Sequence, residues 1–188
     1  MGIVAVVLTF VGYIPYLRDT LKGKTKPHVY SWFLWSFITF IIFAQQISAG
    51  GGAGAFVTLA TAILCLTTFI LAMRGGKKDI TKADTASFIF SLVAVGMWLL
   101  AKQAVISAIL LATINFLGMI PTVRKSWTKP HSETLFSWSL SALNNLLGII
   151  ALQNYSLVTW LYPASCFLEN GLFSLMLVVR RKVVSLKN

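Results

Sequence analysis

The chain has 188 residues, of which 57% are hydrophobic and 11% charged, and its formal net charge at pH 7 is +11. A water-soluble domain of this size needs a more polar surface, so the composition excludes an ordinary soluble globular protein. The two cysteines and two histidines are scattered along the chain, which gives neither a disulfide framework nor a metal site.

The apolar residues form blocks of about 20, the length of a membrane-spanning helix. The blocks between charge clusters predict seven spans, at residues 2–19, 30–48, 54–73, 85–102, 104–122, 135–153 and 158–179. Met1-Gly2 leads directly into apolar residues without a basic segment, so we expect the first span to be retained and not cleaved as a signal peptide. The sequence therefore predicts a multi-pass integral membrane protein whose surroundings are a lipid bilayer.

The basic residues follow alternate spans. They lie after the first, third, fifth and seventh spans, and Lys102 alone falls on the other side. Because cytoplasmic loops carry the excess of lysine and arginine, we expect the N-terminus outside and the C-terminus in the cytoplasm, in a plasma membrane or a bacterial inner membrane. This placement accounts for the positive charge by topology, so no nucleic-acid partner is expected.

One segment of the chain is repeated. GYIPYLRDTLKGKTKPHVYSW at residues 12–32 is followed by GMIPTVRKSWTKPHSETLFSW at residues 118–138, at a constant offset of 106 positions. Each copy covers three spans, and the fourth span restores the direction of the second copy. The sequence predicts an all-α membrane protein with two parallel three-helix repeats joined by an inverting helix, in a 3+1+3 order. The expected parts are residues 1–75, linker helix 76–103, residues 104–182, and a cytoplasmic tail at 183–188.

This arrangement over residues 2–182 resembles the SWEET sugar transporters and the wider PQ-loop (MtN3-like) superfamily, which includes nicotinamide riboside carriers and the KDEL receptor. In place of the Pro-Gln signature the chain has Pro15-Tyr16 and Pro121-Thr122. The resemblance implies a transporter that moves a small polar solute, a sugar or similar, by alternating access. It also implies that an asparagine from the third helix of each repeat binds the solute. Asn170 matches that position, and its counterpart is Leu64.

Four residues are predicted to form hinges for a gate. Proline lacks an amide hydrogen and clashes with the carbonyl four residues earlier, which weakens a helix at that point. Each of the two prolines follows a glycine by three positions, and the pair recurs in both copies. The predicted hinge residues are Gly12, Pro15, Gly118 and Pro121; the alternative is a static kink that improves packing.

Glu169 is the one acid expected near the middle of the bilayer. A carboxylate there must face the interior, be protonated, or have a partner. We expect it to bind a cationic group or carry a coupling proton; the alternative is a structural hydrogen bond to Asn115, Asn144 or Asn145. The adjacent amides of the sixth span favour a wetted cavity. The predicted substrate-binding residues are Trp35, Asn144, Asn145, Glu169 and Asn170.

The remaining polar and aromatic residues are assigned more ordinary positions. The span ends favour an interfacial aromatic belt for Trp32, Trp127, Trp138 and Trp160, and solvated positions for Gln45 and Gln46 unless they belong to an outer gate.

The sequence contains no nucleophile with a base and an orienting group, and no phosphate-binding glycine motif, so we expect no enzyme, no cofactor and no bound metal. Two alternatives to a transporter remain open: a receptor of the KDEL-receptor type and a lipid scramblase. The solute, its direction, proton coupling through Glu169 and a homo-oligomeric state also stay open.

Overall fold

Seven α-helices account for most of the described residues. The computed structural model describes residues 2–74 and 79–185, and within these ranges there is no β-strand. Two single-turn 3-10 helices, Gly52–Gly54 and Pro130–Ser132, precede the third and sixth α-helices. The α-helices are α1 Gly2–Leu21, α2 Val29–Ser48, α3 Ala55–Arg74, α4 Lys82–Leu100, α5 Ala104–Thr128, α6 Leu135–Ile150 and α7 Leu157–Ser185.

Six of the described helices are long and apolar enough to cross a membrane. The exception is α6, which is apolar but has 16 residues. At about 1.5 Å per residue it is shorter than the roughly 30 Å of a bilayer's hydrocarbon layer. These helices agree with a multi-pass helical membrane protein, as the composition predicts.

The predicted helices are confirmed, but several of their ends are shifted. α4 begins at Lys82 because Thr81 caps it: the Thr81 hydroxyl accepts from the Asp84 amide, and the Asp84 carboxylate accepts from the Thr81 amide. α5 continues to Thr128 and α7 to Ser185, since their basic residues are good helix formers. α7 therefore includes the first part of the expected tail. The remainder of that tail, with Lys187, and the basic pair Lys77 and Lys78 lie outside the described residues.

The helices alternate in direction. At one end of the bundle α1, α3, α5 and α7 finish and α2, α4 and α6 begin; there the Lys26 amide donates to the Ser132 carbonyl at 3.0 Å. We call this the basic end, because it carries all the described lysines and arginines except Lys102. At the opposite end, Gln46 Nε2 at the finish of α2 donates to the Thr159 carbonyl at the start of α7, at 3.0 Å.

Two sets of three helices, the triplets α1–α3 and α5–α7, make matching internal contacts. α3 contacts both α1 and α2, and α7 contacts both α5 and α6. Between the triplets, α1 packs against α6 and α2 packs against α5. α4 packs mainly along α5. This packing leaves a core of buried aromatic and aliphatic residues in the middle of the bundle, contributed by every α-helix.

Buried polar groups fix α4 to its neighbours at the basic end. Arg124 Nε and Nη2 each donate to a carboxylate oxygen of the fully buried Asp84 at 2.7 Å. His28 Nε2 lies 3.5 Å from the same carboxylate, without a hydrogen bond. Burial lowers the pKa of His28 to about 4, because loss of water outweighs the attraction of Asp84. The ring is therefore neutral near pH 7.

Candidate functional site

A small cavity lies in the middle of the bundle. Its volume is about 50 Å³, which holds a few water molecules but not a hexose. All the α-helices except α4 contribute to its walls. The lining side chains are Tyr13, Trp32, Trp35, Thr58, Thr61, Cys65, Asn115, Met119, Trp138, Ser141, Asn145, Tyr162, Cys166, Glu169 and Asn170.

Glu169 brings a carboxylate to this cavity. Asn115 Nδ2 donates to Glu169 Oε2 at 2.8 Å, and this is the one hydrogen bond that reaches the carboxylate from the described residues. Tyr162 in turn donates its hydroxyl to Asn115 Oδ1 at 3.5 Å. No lysine, arginine or histidine among the described residues pairs with Glu169. Its hydrogen-bond partner is thus Asn115, and Asn144 and Asn145 bond elsewhere.

Two amides of α6 and α7 meet at Ser141 in the wall of the cavity. Asn145 Nδ2 donates to the Ser141 carbonyl at 2.8 Å, and Asn170 Nδ2 donates to Ser141 Oγ at 3.1 Å. A backbone carbonyl can only accept, so the orientation of the Asn145 amide is fixed and its Oδ1 has no hydrogen-bond donor among the described residues. The polar side of the cavity is therefore rich in acceptors.

Aromatic rings form the other side of the cavity. Trp32 and Trp35 lie edge to face with centroids 5.2 Å apart and planes at 86°. Trp35 and Trp138 are 5.8 Å apart at 70°. Tyr13 meets Trp32 at 6.1 Å and 82°. Rings at these angles make adjoining walls rather than a stack.

The structure brings together four of the five predicted substrate-binding residues. Trp35, Asn145, Glu169 and Asn170 all line the cavity. Asn144 is not among the lining residues: it is buried against α1, where its Nδ2 donates to Thr9 Oγ1 at 2.6 Å. Neighbouring positions on a helix point about 100° apart, so only one of the two asparagines can face the cavity. A role in solute binding for all five residues stays a prediction.

The prediction of a belt at the membrane interface is wrong for two of the four tryptophans. Trp32 is 3% exposed and Trp138 is 7% exposed, and both line the cavity. Trp127 and Trp160 are exposed, as expected for a belt. The signal that distinguishes them is the repeat, because Trp32 and Trp138 occupy equivalent positions in the two copies. Their ring centroids lie 6.4 Å apart.

A buried ion pair closes the basic side of the aromatic core. Glu133 accepts from Lys125 Nζ at 2.5 Å, from the Tyr16 hydroxyl at 2.9 Å and from Trp138 Nε1 at 3.0 Å. Lys125 also donates to the Lys26 carbonyl. Glu133 lies between the 3-10 helix Pro130–Ser132 and α6, yet it is 1% exposed. Its partners come from α1, α5 and α6, so it joins elements of both triplets.

Contacts between the two triplets are also present at the end of the bundle opposite the basic end. Gln46 is 1% exposed, so a solvated position is wrong for it, and it joins α2 to α7. Gly54, at the end of the 3-10 helix, lies so near α6 that a Cβ there would come within 2.9 Å of the Gly148 carbonyl. The cavity lies between these two sets of contacts.

The predicted hinge residues lie within unbroken helices. α1 continues past Pro15 and α5 continues past Pro121. A Cβ at Gly118 would meet Trp35 Nε1 at 3.2 Å, so this glycine makes room for the indole that lines the cavity. Gly12 packs loosely against Leu140. Movement at these four positions stays a prediction.

Two larger cavities have different surroundings. One cavity, of about 440 Å³, lies at the basic end, between the loop that joins α1 to α2 and the end of α3. The other, of about 530 Å³, is an open apolar groove along α5. Neither is lined by all of the six helices that surround the central cavity.

Comparison with protein-family models, curated proteins and solved structures finds no match for this chain. The function is therefore argued from the central cavity.

Proposed function

We propose that this chain is a SWEET-like membrane transporter that carries a small polar solute across the bilayer by alternating access. In this proposal α1–α3 and α5–α7 are two parallel three-helix units, joined by α4, with the basic end in the cytoplasm. The observation that carries it is the polar and aromatic cavity lined by those six helices, with inter-helix contacts toward both ends of the bundle.

The packing of the helices supports the two-unit arrangement. The third helix of each unit lies against the other two, and the first helix of each unit packs against the second helix of the other. Such symmetry lets the units rock about a shared centre, because each unit makes the same pair of helix contacts with the other.

The small size of the cavity supports a transport cycle in which the helices must move apart. About 50 Å³ is too small for most solutes, so solute entry requires the helices to separate at one end. The Glu133 contacts and the Gln46 contacts are the two sets that must open in turn. The hinge residues Pro15 and Pro121 lie between the cavity and the basic end, where a change of helix direction opens that side.

A reversible lock at the basic end tests this proposal. Thr25 Oγ1 and Thr134 Oγ1 lie 2.6 Å apart across the basic end, so cysteines at these positions can form a disulfide. Proteoliposomes with the Thr25→Cys/Thr134→Cys protein are assayed for uptake of labelled sugars, amino acids, nucleosides and organic cations. We expect uptake of one class, its loss on oxidation and its return on reduction.

The same assay separates the alternatives. Saturable binding without accumulation inside the vesicles contradicts transport and indicates a receptor of the KDEL-receptor type. Movement of labelled lipid between leaflets without solute uptake indicates a scramblase. Uptake that oxidation leaves unchanged contradicts alternating access, because the pathway would then bypass the basic end. The serine variant Thr25→Ser/Thr134→Ser is the control for oxidation, since it keeps hydroxyl groups and cannot form the disulfide.

A further inference from the structure

Glu169 differs from every other acid in the chain. The sequence has five acidic residues. Four of them are paired with a base within the described residues: Asp19 with Arg18, Asp79 with Lys129, Asp84 with Arg124, and Glu133 with Lys125. Glu169 has one hydrogen bond, from the neutral Asn115, and no base. A carboxylate inside an apolar bundle requires a positive partner or a proton, and the described residues supply no positive partner.

The walls of the cavity match a positive charge. Trp32, Trp35 and Trp138 present large aromatic rings, and the negative face of such a ring attracts ammonium and guanidinium groups. Tyr13 and Tyr162 add two more rings to the lining. Aromatic residues around one carboxylate are the combination that binds organic cations in water-poor sites, because the rings replace water without offering a competing positive charge.

The polar groups of the cavity favour a ligand that donates hydrogen bonds. Asn115, Asn145 and Asn170 each donate to a protein acceptor, and one N–H of Asn145 and one of Asn170 have no acceptor among the described residues. The Asn145 Oδ1 acceptor and the second carboxylate oxygen of Glu169 remain without a hydrogen-bond donor among the described residues. A neutral sugar offers as many acceptors as donors, whereas an alkylammonium or guanidinium group offers donors and a positive charge.

We propose that the solute of the central cavity is a small organic cation, whose charged nitrogen lies between the Glu169 carboxylate and the tryptophan rings. This proposal rests on the transport function proposed above and names the chemical class of its solute. The positive charge takes the place of the base that Glu169 lacks. We expect the cation to enter from the end of the bundle opposite the basic end. Lys102 is the single described base there, so the repulsion of a cation is weaker than at the basic end.

Binding to the purified wild-type protein in detergent tests the charge requirement directly. The probes are matched pairs of similar shape: choline and its uncharged isostere with carbon in place of nitrogen, guanidinium and urea, propylammonium and propanol. Because three tryptophans line the cavity, ligand entry changes the intrinsic fluorescence, and calorimetry gives an independent affinity. We expect at least one cation to bind at least about ten-fold more tightly than its uncharged partner.

Two cavity variants and one control variant outside the cavity test whether that preference arises in the cavity. Glu169→Gln keeps the size and one amide oxygen of the side chain but removes the charge, and we expect it to reduce the preference for the cation to about two-fold or less. Asp79→Asn removes the same charge from an exposed pair at the basic end, and we expect it to leave the preference unchanged. Trp35→Leu removes one ring but not the charge, and should weaken the binding of the cation more than that of its neutral partner.

The results distinguish this inference from the transport proposal. If no cation binds, or if charged and uncharged partners bind equally in the wild type, the inference is wrong. Uptake of a neutral solute that is blocked by the Thr25–Thr134 disulfide would then leave transport intact. If cations bind through Glu169 but nothing accumulates in vesicles, the cation site stands and transport is wrong. If Glu169→Gln keeps the full preference for the cation over its uncharged partner, the inference is also wrong, because another group would then recognise the positive charge.

Discussion

Two glutamates inside the helix bundle, the fully buried Glu133 and the half-buried Glu169, have opposite surroundings. Glu133, near the basic end, accepts from Lys125, Tyr16 and Trp138. Glu169, in the central cavity, accepts from Asn115 and from no other residue that the structure describes. The comparison shows that burial of an acid in an apolar bundle does not by itself mark a functional site. A satisfied ion pair holds helices together, whereas an acid without its base leaves a position for a ligand or a proton.

The largest predicted effect comes from breaking the satisfied pair. Lys125→Met leaves the Glu133 carboxylate buried without a base, and we expect a loss of about 3–5 kcal/mol in the free energy of unfolding. The control is Lys129→Met, which removes a lysine that is 56% exposed and should cost at most about 1 kcal/mol. Unfolding of the purified protein in mixed detergent micelles measures both.

A double variant sharpens this result. Lys125→Met/Glu133→Gln removes both charges and keeps an oxygen that accepts from Tyr16 and Trp138, so part of the lost stability should return. Equal losses for the two lysine variants, or no recovery in the double variant, would show that Glu133 is not held as an ion pair.

Acid should weaken the basic end through His28. The pKa of this buried ring is lowered to about 4 from the usual 6.5. Between these values the unfolded chain binds a proton that the folded chain does not, so the free energy of unfolding falls as the pH falls from 6.5 toward 4. The groups facing His28 are Asp84, which opposes the shift, and Arg124 and Lys125, which add to it.

The expected loss is roughly 2–3 kcal/mol over that pH range. Unfolding measured at a series of pH values should show this slope in the wild type and a flatter one in His28→Phe. His131→Phe serves as the control, since His131 is exposed and should leave the slope unchanged. An unchanged slope in His28→Phe would assign the acid sensitivity to other groups.

The opposite end depends on close packing rather than on charge. In Gly54→Ala the added methyl group would lie 2.9 Å from the Gly148 carbonyl, a contact that forces the 3-10 helix away from α6. We expect a loss of about 1–3 kcal/mol in the free energy of unfolding. Gly96→Ala on α4, where the methyl group meets open space, should cause no loss. A similar loss in both variants would contradict the close approach of these elements.

The smallest predicted effect on stability belongs to the cavity. Glu169→Gln keeps an oxygen that can accept from Asn115, so we expect the free energy of unfolding to change by less than about 1 kcal/mol. Glu133→Gln should cost more, because it leaves Lys125 charged and buried without its partner. The ratio of these two losses is a direct measure of the difference between the two glutamates. Equal losses would mean that Glu169 is as much a structural residue as Glu133.

The sequence predicted the helices better than it predicted the site. Span lengths and the repeat at a fixed offset were enough for the seven helices, since hydrophobic patterning is local. The burial of Glu133 was not predictable, because it depends on partners that are distant in the sequence. Tyr16 precedes Glu133 by 117 positions, and Arg181 follows it by 48. Similarly, the sequence could not choose between Asn144 and Asn145 without knowing how α6 is rotated about its axis.

In the proposed transport cycle the cavity opens in turn to each face of the membrane. The native Cys65 and Cys166, which are buried in the cavity wall, test this opening without any knowledge of the solute. Vesicles are treated with a membrane-impermeant methanethiosulfonate from one face or the other. We predict labelling of these thiols from both faces in the wild type, and from the opposite end alone once the Thr25→Cys/Thr134→Cys disulfide has formed. Labelling restricted to one face in the wild type, or from the basic end despite the disulfide, would contradict the claim.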